Sequence, residues 1–150
     1  MGKDGVKKVT FEELNIVRRL RKKLDDEQQK LKALTLCADS ITPQFTRGND
    51  GCTCLDTSPK AKVLTSRPEN IAVLLTEAES RIADTQTRIA AESLLLTDKI
   101  QREAKNDKDS ALLIHRYVNC RHFRDIGILM GFSEAHVYFT HRNILRYLLQ

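Results

Sequence analysis

The sequence predicts an all-α protein in which two long helices, paired as a hairpin or as a coiled coil, precede a small unit of three short helices. Three observations predict it. Trp is absent, aromatics make up 5% and only three of 150 residues are Pro, so Leu, Ile, Val, Arg, Lys, Glu and Ala, the residues of long helices, fill most of the chain. Two stretches repeat apolar residues at close to heptad spacing. The last forty or so residues carry a shorter apolar pattern, punctuated by Gly127 and Gly131.

The first helix starts at Thr10. With Glu13 three positions on, Thr10 makes a capping box, in which each side chain serves the other's backbone N–H. The stripe that follows is Leu14, Val17, Leu20, Leu24, Leu31, Leu34 and Ala38, broken at Glu27 and Gln28. It is narrow, suited to a two-helix seam, and about 28 residues of it make a rod of roughly 42 Å. Ser66 and Glu69, with Pro68 between them, announce the second helix by the same chemistry. Its stripe is Ile71, Leu75, Ala78, Ile82, Thr85, Ile89 and Leu96, interrupted by Glu92. Two rods with one apolar seam each bury those seams either against each other or in an intermolecular coiled coil.

Residues 39 to 68 are rich in Thr, Ser, Asp, Gly and Pro, without sustained periodicity, and read as a long flexible loop with a turn at Asn49, Asp50 and Gly51. The expected organisation is therefore a first helix over 1–38, this loop over 39–68, a second helix over 69–105 and a compact unit over 106–150. Within the last, a polar break at residues 104–109 offers Asp107 or Asp109 as an N-cap. Helices are then expected from Ser110 to about Asn119, from about His122 to Met130, and from Ser133 to Leu149.

The formal charge of +5 is unevenly spread: residues 1–38 carry +4, 39–68 carry +1, 69–105 carry −2 and 106–150 carry +2. From residue 110 onward every cation is Arg. Arginine's planar fork suits phosphate and guanine, so this choice favours a nucleic-acid partner. The basic run Arg18 to Leu24 reads first as a solvated helix face. No apolar run resembles a signal peptide or is long enough to span a bilayer, Val6 stands where a myristoylation signal wants Ser or Thr, and the expected location is cytoplasmic, with the four cysteines as thiols. Cys52 and Cys54 with the four His do not have the spacing of a zinc site, so no metal and no cofactor are expected. No nucleophile with its base, no phosphate-cradling glycine loop and no carboxylate cluster is apparent, and the chain is not expected to be an enzyme.

The last two expected helices fit a helix-turn-helix template. Gly127 is small where two helices approach closely, Gly131 can take the positive φ that ends a helix abruptly, Ser133 can cap the next helix, and Val137 opens its buried face. That face continues at Thr140, Ile144, Leu145 and Leu148. This segment, HFRDIGILMGFSEAHVYFTHRNILRYL, resembles region 4 of bacterial sigma factors. The whole chain resembles a family of small uncharacterised phage and prophage proteins of Gram-positive bacteria, in which a helical segment, a Ser/Thr/Gly-rich loop and a second helix precede a sigma-region-4-like end.

The resemblance implies a DNA-binding transcriptional regulator in the bacterial host cell. In sigma region 4 the third helix reads bases from positions that correspond here to Glu134, Ala135, Tyr138 and Phe139. None of these is a cation, whereas the family pattern carries arginines. The expected phosphate-facing set is Arg121, Arg124, His136, His141, Arg142 and Arg146, with the N-terminus of the third helix at Ser133. The expected partner is double-stranded DNA and the expected state a homo-oligomer. The alternative, motivated by the missing base-reading cations, is an interaction or assembly protein that uses the same fold to bind RNA polymerase or a phage partner.

Overall fold

The computed structural model describes residues 8–40 and 68–150, and among these every regular element is a helix. In chain order these are α1 (Phe11–Ser40), α2 (Pro68–Glu103), α3 (Asp107–Leu113), a π-helical turn (Ile114–Val118), α4 (Phe123–Met130) and α5 (Glu134–Leu148). The loop expected over 39–68 falls almost wholly outside the described residues, as do its turn at Asn49, Cys52 and Cys54, and the cap expected at Ser66 and Glu69.

The chain divides into two compact units. One comprises residues 1–23 with 85–150, the other residues 24–84. In the second unit the expected stripes face inward: Ile71 and Ala78 are buried, and Leu24, Leu31, Leu34, Leu75 and Ile82 are half-buried.

The first unit holds the main core. Thr10 and Glu13 form the expected capping box, the Thr10 N–H donating to Glu13 Oε2 at 3.0 Å and the Glu13 N–H to Thr10 Oγ1 at 3.3 Å. Val9 and Leu14, before and after the box, occupy the positions of a hydrophobic staple and are both buried. The Val9 N–H donates to Glu103 at 2.8 Å, and Lys99 Nζ pairs with Glu13 at 2.6 Å. Partners on α2 thus step back as α1 advances, so these two segments run antiparallel. The Lys99 bond, then the Thr10 N–H, hold the Glu13 carboxyl below its usual range.

Val9, Leu14, Val17, Leu96 and Ile100 join Leu112, Leu113, Tyr117, Val118, Ile126, Val137, Ile144 and Leu148 in one hydrophobic cluster. The core of the expected unit over 106–150 is therefore shared: the first turns of α1 and the last turns of α2 complete it. Its first helix also differs from expectation. It begins at Asp107, with Asn106 at the cap position, and Asp109 instead accepts the Tyr147 hydroxyl at 2.8 Å. Burial and that carboxylate raise the Tyr147 hydroxyl to about 12.

At Ile114 the helix widens into the π turn, closed by the Asn119 N–H on the Ile114 carbonyl at 3.0 Å. Cys120 follows at φ 55, a left-handed conformation uncommon for a side chain of any size. Two arginines satisfy the carbonyls left over here: Arg21 donates to Val118 O at 3.0 Å and Arg116 to Arg121 O at 2.9 Å.

Candidate nucleic-acid interface

α4 and α5 are joined by a turn whose glycines have distinct roles. Gly131 sits at φ 72, ψ 31, and its N–H donates to Gly127 O; the Phe132 N–H donates to the same carbonyl at 2.8 Å, which ends α4 within one residue. A Cβ on Gly127 would stand 2.6 Å from the Phe132 carbonyl oxygen, so the chain can turn back this tightly only over a residue without one. Ser133 then caps α5, its hydroxyl accepting the His136 N–H at 3.2 Å, with Glu134 in the first turn favoured by the helix dipole.

The apolar face of α5 is the expected one. Val137, Ile144 and Leu148 are buried, and Thr140 and Leu145 half-buried. The opposite face is open. Ala135, Tyr138, Phe139, Arg142, Asn143 and Arg146 are all exposed, and their spacing places them within about two-fifths of the helix circumference. Arg121 and Arg124 are exposed before and within the first turn of α4, and His136 is exposed with its ring 4.8 Å from that of Phe132. Glu134 lies to one side of the open face.

His141 is placed differently from the phosphate contact expected of it. It is 8% exposed, and its Nε2 shares a 2.9 Å hydrogen bond with the Tyr117 hydroxyl. Its ring meets that of Phe123 at 5.0 Å. Burial first, and the Arg116 charge second, lower its pKa to about 4, so at neutral pH the ring is uncharged. It belongs to the core.

The residues that sequence reasoning did not reach lie beside α5. Arg116 stacks 4.3 Å over the Phe123 ring, and that ring makes a T-shaped contact with Tyr138, centroids 5.5 Å apart. Arg18, from the basic run on α1, joins Arg116 and Arg142 in lining a cleft of about 550 Å³. The charge of the Arg18 run was legible, but its proximity to α5 depends on contacts about a hundred residues apart in the chain. Among the described residues no group of three His, Cys, Asp or Glu side chains is placed to hold a metal ion, and no helix is long and apolar enough to cross a membrane.

No protein-family model matches this chain, and neither a curated protein nor a solved structure is similar to it. The open face of α5 is therefore read from its own chemistry.

Proposed function

We propose that the protein is a DNA-binding transcriptional regulator of phage type, in which α4, the turn and α5 act as a helix-turn-helix and α5 enters the major groove. The first turns of α1 and the last turns of α2, paired antiparallel, brace this module, and the protein acts as a homo-oligomer. The observation that carries the reading is the outward face of α5: Arg142 and Arg146 are exposed one turn apart, beyond a turn that Gly127, Gly131 and Ser133 make tight. Arg121 and Arg124 at the start of α4 add phosphate contacts, and the capped N-terminus of α5 a further one.

Base readout in this reading is apolar rather than cationic. Tyr138 and Phe139, 55% and 64% exposed, meet thymine methyls, so A·T-containing steps are preferred over G·C. The test is fluorescence polarisation against duplexes selected from a random library, at several salt concentrations. Arg142→Ala with Arg146→Ala is expected to weaken binding at least tenfold and to reduce the slope of log K against log salt by about 1.8, the loss of two phosphate neutralisations. Unchanged affinity and slope would refute the reading.

One observation favours a second reading, a protein that docks on RNA polymerase or a phage partner. Ile128 and Leu129 on α4 are 74% and 53% exposed, and with Phe139 they leave large side chains unpartnered on both helices. It predicts no sequence-selective duplex binding, together with a purified polymerase complex that Phe139→Ala disrupts.

A further inference from the structure

The cleft that Arg18, Arg116 and Arg142 share has a composition that phosphate contact along a duplex does not account for. It is bounded by the first turns of α1, by the π turn, by the start of α4 and by the middle of α5. Three arginines line it, and among the described residues no carboxylate does. Like charges gathered on one concavity raise its potential, and an anion there offsets their repulsion. Arg18 and Arg142 carry no hydrogen bond or ion pair among the described residues, so their donor forks are open to a ligand.

Much of the remaining wall is aromatic. Phe123 already has Arg116 against its face, but Phe11, from α1, and Tyr138, from α5, are 54% and 55% exposed and both line the cleft. Asn15 spends its Nδ2 on the Phe11 carbonyl at 2.9 Å, which leaves its side-chain oxygen to accept from an amine. A volume of about 550 Å³ lies within the range of small-molecule sites. The Arg18 and Arg116 charges both reach the Tyr117 hydroxyl at the base of the cleft, where they oppose the rise that burial gives its pKa.

Gathered cations beside exposed aromatic rings and one amide acceptor match a ligand that joins phosphate to a planar base. We infer that this cleft binds a nucleoside phosphate, with its phosphates on Arg18, Arg116 and Arg142 and its base against Phe11 and Tyr138. The site stands apart from the duplex-binding reading, because Phe11, Asn15, Arg18 and Arg116 lie outside the face of α5. It does share Arg142 and Tyr138 with that face, so a bound nucleotide competes with a duplex wherever both bind.

Isothermal titration of the full-length protein with ADP tests this, with pyrophosphate and adenosine as probes of charge alone and ring alone. ADP is expected to bind at least tenfold more tightly than either. Arg18→Ala and Phe11→Ala, both at exposed positions, are each expected to weaken ADP binding at least fivefold without lowering the melting temperature. ADP binding no tighter than pyrophosphate, or unaffected by Arg18→Ala, would overturn the proposal. Arg146→Ala separates the two readings: Arg146 does not line the cleft, so its loss is expected to weaken a duplex and leave ADP untouched.

Discussion

His141 shows how one residue's surroundings decide between two roles. An imidazole on a cationic helix is an obvious phosphate ligand, yet here the ring lies between Tyr117, Phe123 and Arg116 and is held neutral. Its folded pKa, about 4, lies below the ordinary 6.5. The unfolded chain therefore binds a proton more readily between those values, and stability is full above about pH 6.5 and falls as the pH drops toward 4. The melting temperature is expected to be lower at pH 5 than at pH 7, and His141→Leu to remove most of that difference. An equal difference in the variant would show that other groups carry it. The register of α5 was legible from Val137 and Leu148, and His141, four residues after the first and seven before the second, shares their buried face. The charge pattern drew the histidine toward phosphate, but the spacing already placed it inward, where the Tyr117 hydroxyl meets it.

Local chemistry was the readable part of the elements. The Thr10 box, the stripes of α1 and α2, the left-handed Gly131 and the Ser133 cap each depend on residues within a few positions of one another, and each is found where it was expected. The π turn was not legible, since nothing in IHRYV distinguishes it from α-helix, nor was the bond that Arg21, on another element, makes to its last carbonyl. The crossing of α4 and α5 turns on Gly127. Gly127→Ala drives a methyl against the Phe132 carbonyl, and because backbone on both sides is fixed by the Gly131 and Ser133 bonds, relief requires the helices to part. The expected cost is about 1 to 3 kcal/mol in chemical denaturation. A change below about 0.5 kcal/mol would mean that the turn yields freely.

At the scale of the whole molecule, the division expected at residue 106 gives way to a core assembled from both ends of the chain. Leu14 and Val17 are fully buried in the same cluster as Ile126 and Ile144, so the last three helices alone would present to water the apolar surface that α1 and α2 cover. A fragment of residues 106–150 is expected to give a poorly dispersed amide NMR spectrum, whereas residues 1–23 joined by a short Gly/Ser linker to 85–150 give a dispersed one. A folded 106–150 fragment would show that the shared core is dispensable. Sequence periodicity names which faces are apolar but not which of them meet, and for that reason the cleft beside Arg18 was out of its reach while the arginines themselves were plain.

The 94 residues that separate Val9 from its partner Glu103 also set a timetable for synthesis. At about 5 to 20 residues per second, a ribosome releases the first turns of α1 roughly 4 to 20 s before the segment that will cover them. For that interval Leu14 and Val17 are a nascent chain's exposed apolar patch, and the core they belong to can close only once the helices that carry Ile100, Ile126 and Ile144 have followed.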